Sequence, residues 1–310
     1  GRGPGGGGGG GGGRARAGGA AIQCLSMNSG SLESAFQSHP RTWRSGRYVY
    51  PVISRRSRGL SIGINLNPDG ACNFDCVYCC VDRSGPRPAG RIDLAVLESE
   101  LRALVDMRGR IFDEPEFCEI PPSHRRLNDI AFSGDGEPTA IQAFTKAVDV
   151  AARVRTEAGL TDLKIVVIPD ACYLMRPHVV EALALLDANN GEIWAKLDAG
   201  TDAYFKKINR ASVSLQFVLD NILSAARVRP IVIQAMFLRL HGEPPSASEI
   251  DAWVARLVSI RDKGGQIKHV QVYTVARQTT ESFATALSAE ELACIAAPVR
   301  EMGFDVEVYP

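Results

Sequence analysis

Cys72, Cys76 and Cys79 stand in a C-x3-C-x2-C spacing, directly after the largely apolar run Leu60 to Leu66. Thiolates are the usual ligands of iron–sulfur clusters, and closely spaced cysteines on one loop can present several sulfurs to a single cluster. Three ligands for a four-iron cluster leave one iron open, and an open coordination position is where a metal centre does chemistry. Zinc is the bland alternative. The triad lacks the paired C-x2-C elements of structural zinc sites, and nothing in the sequence brings His124, a candidate fourth ligand, nearby. Cys80 reads as a bystander, because two adjacent residues rarely both face one cluster.

A second turn, Ser133-Gly134-Asp135-Gly136-Glu137-Pro138-Thr139, follows the apolar run ending at Phe132. Its glycines permit unusual backbone angles and close approach, and its carboxylates suit a primary ammonium. Further on, Lys196 and Asp198 fall on one face of a strand. An inward lysine is costly unless paired, so a ligand or Asp198 is its expected partner. Asn65 and Asn67 share a side at the end of the first strand. Gln234, His241, Glu243, Tyr273, Thr274 and Arg277 occupy later strand ends and loops, where groups that bind substrate would lie.

Alternating elements must position these residues. Strands are expected at Leu60–Leu66, Asp129–Phe132, Leu163–Ile168, Glu192–Leu197, Ile231–Leu238 and Val270–Thr274, with a last short one at Asp305–Val308. Helices are expected at Leu94–Met107 with Asp93 as N-cap, and at Ile141–Val154, Pro177–Leu186, Ala203–Ile208 and Ala247–Arg261. Ala289–Met302 is the last, closed by Gly303. Strands alternating with helices imply a parallel sheet built by right-handed crossovers. Periodicity alone leaves a barrel and a doubly wound sheet open. In parallel barrels, chemistry collects at the C-terminal strand ends, and the cysteine loop follows the first strand.

The C-x3-C-x-aromatic-C pattern with Tyr78 and the Gly136-Glu137-Pro138 turn resembles the radical S-adenosylmethionine (SAM) superfamily. The likeness runs from about Trp43 to the C-terminus. It is nearest the wybutosine-synthesis-like, Fe–S oxidoreductase branch, through Asp135–Thr139, Lys196–Ala199 and Tyr273–Arg277. The resemblance implies an α/β partial (β/α)6 TIM-like barrel of parallel strands with an N-terminal extension. It implies a [4Fe–4S] cluster on Cys72, Cys76 and Cys79, and SAM bound by Tyr78, Gly134, Asp135, Gly136, Glu137 and Pro138. Tyr78 is expected near the adenine and the turn near the methionine ammonium, with Lys196 and Asp198 as catalytic candidates. The activity implied is reductive cleavage of SAM to a 5′-deoxyadenosyl radical that abstracts hydrogen from a substrate, with a flavodoxin or ferredoxin as electron donor. Asp135 replaces the first glycine of the family turn, and only Cys24 lies upstream for the second cluster of the wybutosine enzyme. A tRNA-modifying enzyme of that type, and a non-catalytic iron–sulfur carrier or sensor, are the alternatives.

Composition bounds the rest. The 310 residues are 45% hydrophobic, enough for one large core, and 35 basic residues balance 35 acidic ones. No global field favours nucleic acid or an anionic membrane, and no apolar run of bilayer-spanning length occurs. The eight cysteines do not make the dense framework of a small secreted protein. A reducing cytoplasm is the expected compartment. Residues 1–26 are Gly-, Arg- and Ala-rich and are expected to be disordered, with Met27 as the expected true start. Residues 27–59 form the expected extension and 60–310 the barrel. The arginines and aromatics of 41–58 are read as packing against the barrel, with solvated or phosphate-binding guanidinium groups, and a nucleic-acid surface is the less favoured alternative.

Overall fold

The computed structural model describes residues 1, 3, 31–37, 41–84 and 91–310. The expected disordered tail, Gly1 and Gly3 apart, and the expected start at Met27 lie outside the described residues.

Helix α1 (Ser31–Gln37) precedes an antiparallel hairpin of β1 (Val49–Ser54) and β2 (Gly59–Ile64). Strands and helices then alternate: α2 (Leu94–Met107), β3 (Leu127–Phe132), α3 (Phe144–Glu157), β4 (Lys164–Val167), α4 (Pro177–Asp187) and β5 (Gly191–Lys196). Two helices follow, α5 (Asp202–Asn209) and α6 (Leu215–Val228), then β6 (Ile231–Met236) and β7 (Arg239–Leu240). The chain ends with α7 (Ala247–Asp262), β8 (Ile267–Tyr273), β9 (Ala284–Thr285), α8 (Ala289–Glu301) and β10 (Val306–Tyr309).

Eight strands form one sheet in the order β1-β2-β3-β4-β5-β6-β8-β10, and every pairing but β1–β2 is parallel. This is the expected partial barrel. Leu60, Ile62 and Ile64 of β2 join the main core under the helices, while the alternate Ser61 faces the barrel interior. Inside, Ala131, Val166, Trp194 and Val232 form a small separate apolar plug. The two edge strands are not paired to each other. Instead the β1–β2 turn meets β10 through side chains: Arg55 donates to the Pro310 carbonyl at 2.5 Å, and the Tyr309 hydroxyl donates to the Arg56 carbonyl at 3.3 Å.

Besides the small β7–β9 pair, three elements depart from expectation. Val49–Ser54 is a strand within the expected extension; Pro51 lacks a ladder donor, which an edge strand tolerates. Leu215–Val228 is a full helix, with Ser214 accepting from the Phe217 amide at 3.2 Å. Its Leu215, Val218, Leu219 and Ile222 had the helical spacing to be found. The third helix starts at Phe144, not Ile141, because Pro138–Ala140 forms a separate 3-10 turn first. Asp93 caps α2 as expected, accepting from the Ala95 and Val96 amides at 3.0 and 3.1 Å, and Gly303 takes φ +81° beyond α8. Among the described residues no helix is long and apolar enough to cross a membrane.

Candidate functional site

At the C-terminal strand ends a cavity of about 240 Å³ opens, and Cys72, Cys76 and Cys79 all line it. All three are free thiols. The loop that carries them is tied down at several points. The Asp75 and Val77 amides donate to the Asn209 and Ile208 carbonyls at the end of α5, at 3.2 and 2.9 Å. Asn209 Nδ2 donates to Cys76 Sγ at 3.5 Å, and Cys79 Sγ accepts from the Val81 amide at 3.4 Å and from Arg83 Nη1 at 3.3 Å. Burial pushes the Cys72 thiol up to about 11 and that of Cys76 up to about 12. A metal centre binding there must therefore displace protons, since the thiolate is the ligand.

Among the described residues no three His, Cys, Asp or Glu side chains are gathered tightly enough to hold a single ion. A four-iron cluster takes each thiolate on a different iron, so its ligands stand further apart than those of one ion. His124 lies against Phe36, with ring centroids 6.3 Å apart, and does not line the cavity. Cys80 does line it, beside the triad.

The turn after β3 forms the facing wall, with Gly134, Asp135, Gly136 and Glu137 all on the cavity. Its glycines are required by close approach. A Cβ on Gly136 would stand 1.9 Å from the Ala71 carbonyl oxygen, one residue before Cys72, and one on Gly134 would stand 2.2 Å from Asn65 Oδ1. The turn thus packs backbone to backbone against the cysteine loop. Asp135 Oδ2 accepts from Asn65 Nδ2 at 3.0 Å, and Arg41 Nε lies 3.6 Å from Asp135 Oδ1. Asn65 and Asn67, expected on one side of the strand end, brace these loops. Asn65 Oδ1 accepts from the Asn67 and Asp135 amides, and Asn67 Nδ2 donates to the Ala71 carbonyl at 3.1 Å.

Glu137 is turned partly inward. Its Oε1 accepts from the Thr139 amide at 2.9 Å and its Oε2 from the Asp170 amide at 2.7 Å. Burial, then the charge of Asp170, holds its pKa well above the usual carboxylate value. Pro138 opens the 3-10 turn behind the wall and does not line the cavity. The residue that sequence reasoning missed is Asp170, just beyond β4. Its Oδ1 accepts from the Cys172 amide at 2.8 Å, while its buried Oδ2 has no partner and the residue lines the cavity. Burial raises its pKa to about 6. An acidic residue directly after a barrel strand was the signal available.

Lys196 and Asp198 do share a face, but they divide the work. Lys196 lines the cavity, and its Nζ donates to the Tyr273 hydroxyl at 2.7 Å and pairs with Asp198 Oδ1 at 3.2 Å. Burial works against its charge, yet Asp198 and Tyr273 hold its pKa above the usual lysine value. Asp198 sits behind, 2% exposed, with no place on the cavity wall. Its Oδ2 accepts from the Tyr78 hydroxyl at 2.5 Å and from Asn209 Nδ2 at 3.0 Å, and its Oδ1 accepts from the Met236 amide at 2.8 Å. Tyr78 keeps its ring on the cavity, with Lys196 Nζ 4.9 Å from the ring centre. Gln234, Tyr273 and Arg277 also line the cavity, whereas His241 stacks on Phe283 at 4.3 Å.

No family model matches the chain. It is 28% identical over 173 residues to a UPF0026 protein of Methanocaldococcus jannaschii, and 23% identical over 251 residues to a Brachyspira hyodysenteriae protein named GTPase Obg. The aligned parts cover 56% and 80% of this chain but only 46% and 33% of those relatives, so the chain spans less than half the length of either. These 310 residues contain no Gly-Lys pair, the core of the G-x-x-x-x-G-K-[ST] phosphate loop. Among solved structures, Streptococcus suis SuiB bound to S-adenosylmethionine superposes with TM-score 0.56 at 14% identity, covering 83% of this chain and 52% of SuiB. A radical SAM methyltransferase from Sphaerobacter thermophilus superposes with TM-score 0.57 at 14% identity, covering 84% and 68%. The chain has the fold of the radical SAM enzymes.

Proposed function

We propose that this chain is a radical SAM enzyme whose Cys72, Cys76 and Cys79 hold a [4Fe–4S] cluster and whose adjoining cavity takes SAM. The observation that carries the reading is that the three free thiols and the Gly134–Glu137 turn line one cavity at the C-terminal strand ends. The walls are of two signs. Asp135, Glu137 and Asp170 lie on the side of β3 and β4, and Lys196 projects from β5. That arrangement suits a ligand with both an ammonium and a carboxylate, as the methionine end of SAM has. Asp170 Oδ2 offers the ammonium an unspent acceptor, and Lys196 offers the carboxylate a held cation.

When bound, such a cluster supplies the electron that cleaves SAM to methionine and a 5′-deoxyadenosyl radical, for hydrogen abstraction from a substrate. The chain's own part is positioning. Asp198 fixes the Tyr78 phenol and the Lys196 ammonium, so that ring and charge face the cavity in set directions. The apolar plug of Ala131, Val166, Trp194 and Val232 closes the barrel interior below against water. A flavodoxin or ferredoxin is the proposed electron donor and the cytoplasm the proposed compartment.

The test is anaerobic reconstitution with iron and sulfide, then dithionite and SAM, with 5′-deoxyadenosine read by mass spectrometry beside Cys76→Ala. Deoxyadenosine from the wild type alone supports the assignment. A cluster that forms yet neither binds nor cleaves SAM removes it and leaves the carrier or sensor.

A further inference from the structure

Two guanidinium groups face the barrel interior without a direct ion pair to any acid among the described residues. Arg56, in the β1–β2 turn, and Arg277, beyond β8, line both the sulfur-bearing cavity and a smaller adjoining one of about 80 Å³ inside the barrel. Arg56 gives one hydrogen bond, from Nη1 to Gln234 Oε1 at 3.3 Å, and lies over the Tyr273 ring, 5.0 Å from its centre. Arg277 makes no hydrogen bond or ion pair among the described residues, and it is not among those with a further unprinted partner. Asp129, on the same inner face, accepts from the Ser61 hydroxyl and meets Arg56 only as a through-space charge, with no hydrogen bond or ion pair to either arginine. Lys196 is already paired with Asp198.

Crowded like charges in a desolvated place are unfavourable unless something anionic offsets them. The cost is visible in Arg277, lowered to about 10 by burial and by Arg41 and Arg56, and in Arg55, lowered to about 10 by burial, Arg56 and Arg277. A planar fork of donors is shaped for a phosphate or a carboxylate.

We propose that the substrate of this chain is a small molecule carrying a compact anionic group, phosphate or carboxylate, seated by Arg56 and Arg277 inside the barrel beside the SAM cavity. The proposal rests on reading the cavity as a radical SAM site and names the substrate class for it. Tyr273 and Trp194 supply flat walls next to the anion seat, so aromatic probes suit it.

The test is isothermal titration of the whole 310-residue chain, which needs no cluster, with phenyl phosphate, benzoate and uncharged benzyl alcohol. At least one anion binds about tenfold or more tighter than benzyl alcohol, as a charge-assisted hydrogen bond warrants. Arg277→Ala and Arg56→Ala each remove about tenfold of that affinity at unchanged denaturation midpoints, while Gly109→Ala, where nothing stands within 4 Å, removes none. Preference between the two anions tells phosphate from carboxylate. Anions binding no tighter than the alcohol, or binding folded Arg277→Ala as they bind wild type, overturns the proposal. So does a ten-nucleotide RNA that binds more tightly than either anion and loses affinity with the same variants. If deoxyadenosine forms but the anion test fails, this inference falls and the enzyme assignment stands. If the anion binds but SAM is never cleaved, the assignment falls instead.

Discussion

The Tyr78 hydroxyl donates to the Asp198 carboxylate at 2.5 Å, joining the cysteine loop after β2 to the end of β5. Asp198 also holds Asn209, Met236 and Lys196, so one buried carboxylate fastens the cysteine loop, α5, β6 and the cavity's lysine together. Its removal leaves a buried lysine without its anion, which costs about 3–5 kcal/mol. Asp198→Ala therefore lowers the urea midpoint severely. Tyr78→Phe, which deletes a single donor, costs about 1–2 kcal/mol. Equal midpoints for the two variants would mean that Asp198 is not the hub.

Gly136 tests the packing of the two loops. A Cβ there meets the Ala71 backbone oxygen at 1.9 Å, which no rotamer change can relieve. Gly136→Ala must push the cysteine loop aside, and iron and sulfide bound per chain after reconstitution fall by half or more. Gly109→Ala, where nothing stands within 4 Å, leaves both unchanged. Full loading of Gly136→Ala would show that the loop contact does not position the thiols.

The alternation of strands and helices, the cysteine loop and the Gly134–Glu137 turn were legible because each depends on local spacing, whereas the barrel order of the sheet followed only from the family resemblance. The inward face of β5 was legible too, since alternation puts Lys196 and Asp198 together. What each does there was not, because roles depend on residues distant in sequence. Asp198 is withdrawn from the cavity by Tyr78, Asn209 and Met236, and Glu137 is partly spent on the Asp170 amide. Asp170 carried no motif at all, and only its place after β4 gave it meaning. The strand at Val49–Ser54 was masked by Pro51 and by flanking arginines, whose closure against β10 is a long-range event.

Glu192 sets a pH dependence of stability. Burial raises its pKa, but hydrogen bonds from Lys164, Lys268 and Trp194 outweigh that and hold it down to about 2. A carboxylate depressed in the folded state adds stability that is fully present above its unfolded pKa of about 4.3. That contribution is lost as pH falls from there toward 2. The wild-type denaturation midpoint should thus drop more steeply between pH 5 and pH 2 than that of Glu192→Gln. Parallel curves for the two proteins would remove the assignment. Both lysines are half-exposed, so added salt should shrink the difference.

Lys196 is where positioning and ligand binding can be separated. Its ammonium has three donors; Tyr273 accepts one and Asp198 pairs with another. With the residue lining the cavity, the third is available to a ligand carboxylate. Lys196→Gln keeps a donor for Asp198 but has no charge to offer, so SAM affinity should fall about tenfold, the scale of one charge-assisted hydrogen bond. Tyr273→Phe leaves the ammonium and its Asp198 pair in place and should cost SAM affinity less than threefold. The measurement is equilibrium binding of SAM to the reconstituted, unreduced protein, with iron content matched across variants. If Lys196→Gln binds SAM as wild type does, the lysine is a brace within the Asp198 hub and some other cation meets the carboxylate.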